Sequence, residues 1–154
     1  MTLHEMIETA DAGAVAIFNR NGAVQPLYHA IKRDGAHMLV PAPPTSKAAA
    51  LTLMRALFEL QDVVRYVFID EAWMVGTDPA ETERINREGV RAQPGRVEVL
   101  IYIAEDDTGL LMAMRKILRP AHGKATLAPL EHVGAQAFEG RMVGLLPRPA
   151  GRLQ

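Results

Sequence analysis

The chain has 154 residues and a net charge of −1, with 49% apolar and 23% charged residues, as in one ordinary globular domain. This composition excludes a disordered or fibrous chain, and no apolar run approaches the roughly 20 residues of a membrane span. Cysteine is absent, which excludes disulfides, thiolate metal sites and cysteine nucleophiles. Without a secretory leader pattern, we predict a soluble, cytoplasmic protein with a single domain over residues 1–147 and a flexible tail over 148–154.

The near-zero net charge conceals an uneven distribution of charged residues. Residues 1–58 carry +1, residues 59–107 carry −7, and residues 108–154 carry +5. In one interpretation the basic C-terminal third packs beside the acidic middle and neutralises it. In the other, the C-terminal third forms a basic patch for an anionic partner. We favour internal neutralisation.

The N-terminus has the pattern of a short amphipathic helix. Thr2 and Glu5 have the spacing of a capping box, in which each side chain hydrogen-bonds the other residue's backbone amide. An apolar stripe with helical spacing follows, formed by Leu3, Met6, Ile7 and Ala10. We predict a helix over residues 2–12 that ends at Gly13.

Two turn signals then predict a three-stranded meander over residues 14–20, 23–33 and 36–41. Asn21-Gly22 and Asp34-Gly35 each stand between apolar runs, and such pairs favour two-residue hairpin turns because both residues accept a positive φ. Pro26 is expected to interrupt the middle strand.

The second predicted turn also fixes the predicted positions of two histidines. A two-residue turn at Asp34-Gly35 pairs Lys32 with His37, and strand alternation then places His29 and His37 on opposite faces of the sheet. No metal-ligand spacing links the remaining histidines. We therefore predict no metal site and no cofactor.

The main helix is predicted over residues 46–61, after a proline-rich segment and an N-cap at Thr45 or Ser46. Its apolar stripe is expected to lie flat on the sheet, with Met54 and Phe58 widening it. The stripe is formed by Ala49, Leu53, Ala56, Leu57 and Leu60.

Two apolar segments, residues 63–75 and 96–105, read as central strands that are buried on both faces. Asp78-Pro79 predicts a polar helix that ends near Gly89. Turn residues before Gly109 and around Pro120 then delimit weaker elements: a strand at 110–119, a brief pairing at 124–128, a short helix at 130–138 and a strand at 141–146. This order predicts an α+β fold with a single, mostly antiparallel sheet and the main helix packed on it.

The best enzymatic candidates are four carboxylates near the ends of the central strands, Asp70, Glu71, Glu105 and Asp106. They converge on one divalent cation only if the two strands run parallel; antiparallel strands separate them. Alternatively, Asp106 and Asp107 form a turn, and Asp70 and Glu71 pair with basic residues such as Arg65, Arg96 or Arg115. No nucleotide-binding, metalloprotease, serine-hydrolase or EF-hand motif is present.

Binding candidates are aromatic or basic. Trp73, the single tryptophan, is either a core residue or an anchor for a partner. The other partner-binding candidates are Arg115, Lys116 and Arg141. A basic surface for an anion or nucleic acid would use Arg115, Lys116, Arg119, Lys124 and Arg141, although the overall charge does not favour nucleic acid.

Several short strings together resemble a known family. They are Tyr66-Val67-Phe68-Ile69-Asp70-Glu71-Ala72-Trp73, Arg96-Val97-Glu98-Val99, Ala104-Glu105-Asp106, Glu139-Gly140-Arg141 and Leu145-Leu146-Pro147. This pattern resembles a family of small uncharacterised bacterial and phage-associated proteins, over most of the chain from about Phe18. The family has no assigned activity, so the resemblance implies only positions of interest: Glu71, Trp73, Glu98, Glu105, Asp106 and Arg141.

These observations leave three hypotheses. The first is a non-catalytic interaction or accessory protein that binds a protein partner or associates with itself. The second is a small divalent-metal-dependent hydrolase or nuclease that uses the acidic residues. The third is a protein that binds an anion or a nucleic acid through its basic C-terminal third.

Overall fold

The computed structural model describes residues 1–74, 95–133 and 145–146. Its elements are α1 (Leu3–Asn21), β1 (Leu27–Lys32), β2 (His37–Pro41), α2 (Lys47–Leu60), β3 (Val63–Met74), β4 (Val97–Asp106), β5 (Gly109–Leu118), β6 (Thr126–Leu127) and β7 (Glu131–Val133). The strands form a sheet in the order β2-β1-β3-β4-β5-β6, and β7 also pairs with β5. All of these pairings are antiparallel, which confirms the predicted α+β class.

Both faces of the sheet are buried, one under each helix. Along β3, Val67 and Ile69 point toward α1, whereas the alternate residues Tyr66 and Phe68 point toward α2. A strand covered on both faces needs apolar residues at successive positions. This requirement explains the continuous apolar runs from which β3 and β4 were predicted, and both strands are confirmed over their described lengths.

The first helix is longer than its sequence pattern predicts. It begins at the expected capping box but continues through Gly13 to Asn21, so residues 14–20 are helical and the three-stranded meander is wrong. Ala14 and Phe18 extend the buried stripe of Ala10 at helical spacing. Asn21-Gly22 is therefore a helix end: Gly22 has a φ of 77° and its N–H donates to Phe18 O.

The hairpin at Asp34-Gly35 is present, but its register differs from the prediction by one residue. Its loop has three residues, because the Lys32 N–H donates to Ala36 O at 2.8 Å, and Gly35 adopts a φ of 88°. Ile31, not Lys32, is therefore paired with His37. A one-residue shift reverses the face of every side chain in a strand, so His29 and His37 lie on the same face.

The main helix α2 is confirmed, with Ser46 as its N-cap. Its predicted buried face is right for Met54 and Phe58 and wrong for Leu53 and Leu60, which are exposed. The residues that pack on the sheet are Ala50, Met54 and Phe58. Phe58 packs edge-on against Tyr28, with ring centroids 5.7 Å apart. Of the predicted stripe, Leu57 is partly buried against the same cluster, whereas Leu53 and Leu60 are exposed. The helix is therefore rotated so that its Met54 and Phe58 side, rather than its Leu53 and Leu60 side, fills the space above the tyrosines.

The C-terminal predictions have mixed outcomes. The turn before Gly109, the following strand and the brief pairing at 124–128 are present. Residues 131–133 form β7 instead of the predicted helix, and Leu145 and Leu146 are not in a strand. The predicted polar helix at 78–89, residues 134–144 and the tail lie outside the described residues. Neither described helix combines the length and apolar character needed to cross a membrane.

Replacing Gly22 and Gly13 separately with alanine tests the revised end of α1. Both positions have open space around an added Cβ, and only Gly22 has a positive φ. We expect Gly22→Ala to lower the free energy of unfolding by about 1 kcal/mol and Gly13→Ala to raise it by about 0.5–1 kcal/mol. Urea denaturation measures both effects. A loss of stability in Gly13→Ala would contradict a continuous helix.

Candidate functional site

The four candidate carboxylates do not form one site. Because β3 and β4 are antiparallel, Tyr66 is opposite Glu105 whereas Glu71 is opposite Leu100, a separation of five strand positions, or about 17 Å. The carboxylates also lie on both faces of the sheet. Within the described ranges, no three histidine or acidic side chains are placed to hold a metal ion. The convergence that a shared cation would require is therefore missing.

The carboxylates of β4 have local structural partners. The Glu105 carboxylate accepts hydrogen bonds from the Tyr66 hydroxyl at 2.8 Å and from the Leu145 N–H at 3.2 Å. Asp106 Oδ1 accepts the N–H and the hydroxyl of Thr108, which is the turn role considered from the sequence. Glu105 thus ties the backbone at Leu145 to the central strands, and Asp106 shapes the β4–β5 hairpin.

Glu71 and Trp73 belong to a cluster on the α1 face, which also contains Arg96, Glu98 and Arg119. We call these five residues the Trp73 cluster. The Arg119 Nε lies 2.8 Å from Glu98 Oε1, and Arg119 Nη2 lies 3.7 Å from Glu71 Oε1. The Arg96 guanidinium carbon lies 4.9 Å from the Trp73 ring centroid. Three residues that the family resemblance indicates, Glu71, Trp73 and Glu98, are therefore neighbours.

The charges of the Trp73 cluster balance one another. Arg119 comes from the basic C-terminal third, and its two carboxylate partners come from the acidic middle, as internal neutralisation requires. The Arg119 side chain is 50% exposed, so solvent weakens each of these ion pairs to about 1 kcal/mol or less. Glu71 also accepts the Val24 N–H at 2.7 Å. The cluster thus holds the segment after α1 against the sheet.

A second ionic group, which the sequence analysis did not predict, joins α1 to the sheet. Asp11 is buried, and its two oxygens accept hydrogen bonds from Nε and Nη2 of Arg115, each at 2.7 Å. The Tyr102 hydroxyl also donates to Asp11, and Arg115 Nη1 donates to Ala128 O. Burial alone would raise the pKa of Asp11, but the hydrogen bonds from Arg115 and Tyr102 and the charge of Arg115 hold it below its usual value.

The signal for this ion pair was present in the sequence. Ile7, Asp11, Ala14 and Phe18 have the spacing of one helix face, so a helix that continued past Gly13 would place an aspartate among apolar residues. A buried carboxylate requires a cationic or hydrogen-bonding partner. The predicted stop at Gly13 hid the pattern.

The basic candidates are largely occupied by contacts within the chain. Arg115 is held by Asp11, and Arg119 by the Trp73 cluster. Lys124 donates to Asn19 O at 2.8 Å, a favourable place for a cation near the C-terminus of α1. Lys116 is exposed on the other face of the sheet, and Arg141 lies outside the described residues. The four candidates among the described residues therefore do not form a continuous basic surface.

On the α2 face, Asp70 and Tyr28 form a separate polar group. Burial raises the pKa of Asp70 to about 6, against the effect of the Glu71 N–H, which donates to its carboxylate. The Tyr28 hydroxyl is fully buried and has no hydrogen-bond partner among the described residues. Desolvation, with a smaller contribution from the Asp70 charge, raises the pKa of Tyr28 above its usual value.

An outward apolar feature is on α2. Four residues, which we call the outer α2 face, are at helical spacing on one side of α2: Ala49, Leu53, Ala56 and Leu60. Leu57, at the edge of this side, is partly buried against the core. Leu53 is 54% exposed and Leu60 is 80% exposed, although the opposite side of α2 already packs on the sheet. A helix that is apolar on nearly all sides is typical of one that is covered on more than one side.

Comparisons with known proteins provide no relative for this chain. No protein family matches it, and no curated protein or solved structure gives a significant match.

Replacing Arg115 with alanine tests whether the buried ion pair anchors α1. We expect Arg115→Ala to lower the free energy of unfolding by about 3–5 kcal/mol, because it leaves the Asp11 charge buried without its partner. The control is Arg33→Ala, which removes the exposed pair with Asp62 and should cost less than about 1 kcal/mol. Urea denaturation at pH 7 compares the two, and equal losses would contradict an anchoring role.

The two aspartates give opposite pH dependences of stability. The lowered pKa of Asp11 makes its contribution full above its unfolded pKa and lost as pH falls through its folded value. The raised pKa of Asp70 favours the folded state below its unfolded pKa of 3.8, and this advantage is lost as pH rises toward 6.

Asp70→Asn should remove the pH dependence of stability that comes from Asp70. We expect this variant to be more stable than the wild type at pH 7, by on the order of 1–2 kcal/mol, and to lose that advantage at pH 4. Carboxyl NMR titration of the wild type should locate the Asp70 pKa near 6. A variant with the same relative stability at both pH values would contradict the assignment.

Proposed function

We propose that this chain is a non-catalytic interaction protein that associates with a second copy of itself through the outer α2 face. The observation that supports it is the pair of apolar faces on α2. One face, with Ala50, Met54 and Phe58, is buried in the domain, and the outer α2 face leaves Leu53 and Leu60 in solvent. The first face already provides the packing that attaches α2 to the sheet.

Covering the exposed side chains of Leu53 and Leu60 would favour association. Burying apolar surface contributes about 25 cal/mol per Å², so covering two leucine side chains supplies on the order of 2–4 kcal/mol toward an interface. Clustered exposed leucines on one helix are typical of binding surfaces, whereas isolated ones are ordinary. The outer α2 face would therefore gain from a partner that covers it.

The spacing within the outer α2 face suits a two-fold contact. Leu53 and Leu60 are seven residues apart, about 10.5 Å along the helix axis. In an antiparallel pair of α2 helices, Leu53 of one copy lies beside Leu60 of the other, and the reverse contact follows by symmetry. Ala56, which is exposed between them, then lies near the two-fold axis, where a small residue allows close approach.

The other two hypotheses have less support. A divalent-metal hydrolase would need Asp70, Glu71, Glu105 and Asp106 to converge, and the antiparallel pairing of β3 with β4 separates them. A basic binding surface would need free cations, and Arg115 and Arg119 are engaged with carboxylates.

Charge substitutions on α2 test the proposal. Wild-type protein should sediment as a dimer at micromolar concentration, and Leu60→Glu and Leu53→Glu should each shift the dissociation constant upward by about tenfold or more. The matched control is Thr52→Glu, which adds the same charge at an exposed position on another side of α2.

Analytical ultracentrifugation over a concentration series provides the measurement, with circular dichroism to confirm folding of each variant. A wild type that remains monomeric at millimolar concentration contradicts self-association. A Thr52→Glu variant that dissociates as readily as Leu60→Glu contradicts the choice of surface.

A further inference from the structure

The hairpin of β1 and β2 brings two histidine side chains into direct contact. His29 Nε2 and His37 Nδ1 are 2.7 Å apart, and the ring centroids are 5.0 Å apart with the planes inclined by 29°. The contact follows from the three-residue turn, because the register that pairs Ile31 with His37 places both rings on one face. The two nitrogens that meet are therefore positioned by the backbone ladder.

The strands hold this pair in place and leave it accessible. His29 is on β1, which is hydrogen-bonded to β2 on one side and to β3 on the other. His37 is exposed at the start of β2, and His29 is half-buried. A rigid inner ligand beside an exposed outer one is an arrangement that an ion can reach from solvent without rearrangement of the sheet.

We propose that His29 and His37 form a binding site for a divalent copper or nickel ion. Two imidazole nitrogens bound at right angles to one ion, each at about 2.0 Å, are about 2.8 Å apart. The observed separation is 2.7 Å. The contact is a hydrogen bond, and it shows that both nitrogens can reach one ion. Imidazole suits copper and nickel as a ligand, and copper(II) has the highest affinity among the divalent first-row metals.

The chemistry of the pair is compatible with metal binding. In the direct contact one ring nitrogen donates a proton to the other; when a metal ion binds, that proton moves to the outward nitrogen of its own ring by exchange with water. Each ring turns about its Cβ–Cγ bond, a torsion with a broad minimum, so that both lone pairs face the ion. Water completes the coordination.

Titration of the full chain with copper(II) tests the site, with calorimetry for affinity and electron paramagnetic resonance for bound nitrogen. We expect one site per chain with two nitrogen ligands, and a loss of affinity of at least about tenfold in His37→Gln and in His29→Gln. His37 is exposed, so His37→Gln should fold normally. This variant therefore tests the site even if His29→Gln disturbs the fold.

The matched control is His4→Gln. His4 and His132 form a second histidine pair, with ring centroids 4.9 Å apart at a tilt of 56°, so copper bound unspecifically to paired histidines would be lost there too. We expect wild-type affinity in this variant. The proposal is overturned if His37→Gln binds copper as tightly as the wild type does, or if His4→Gln weakens binding as much as His37→Gln does.

Discussion

The ion pair between Asp11 and Arg115 fixes the position of α1 on the sheet. Two parallel N–H···O contacts of 2.7 Å constrain both the distance and the orientation of the helix relative to β5. Tyr102 of β4 donates to the same carboxylate, so one buried charge connects α1 to two strands. Phe18 and Ile69 belong to the apolar cluster between α1 and the sheet, whose burial is non-directional, whereas the paired N–H···O contacts are directional.

The alternation of side chains along β3 determines which polar residues lie on the α1 face of the sheet and which lie on the α2 face. Glu71 and Trp73 share the α1 face, where Glu71 contacts Arg119 and Trp73 contacts Arg96. Asp70, one residue from Glu71, points to the opposite face. This separation accounts for the different behaviour of adjacent carboxylates: Glu71 pairs with Arg119, while Asp70 is desolvated and its pKa rises to about 6. Adjacent acidic residues in a central strand are thus two structural groups, each defined by its own helix layer.

The sequence predicted the elements better than their limits or orientation. Both central strands and α2 were predictable because long apolar runs and capping residues are local signals. The helix end was predicted at Gly13 instead of Gly22 because a glycine inside a helix and a glycine that ends one look alike in the sequence. The packing of Phe18 in the core, which extends the helix past Gly13, is not visible there. The Trp73 cluster depends on the pairing of β3 with β4 and on the position of Arg119 in β5, which are non-local contacts that no short window contains.

The two proposed binding surfaces arise from the same kind of ambiguity in the sequence. On α2, an apolar stripe is visible in the sequence, but periodicity alone does not say which of two apolar faces a domain buries; Phe58 and Met54 decide this because they fill the space above Tyr28 and Tyr66. On the β1–β2 hairpin, one residue of loop length decides whether His29 and His37 are separated by the sheet or touch. In both cases the residues are visible in the sequence. Whether they face outward together depends on the rotation of α2 or on the register of the β1–β2 hairpin. Surfaces of this kind are recognised only when register and helix rotation are known, since both are set by the core rather than by the residues that bind.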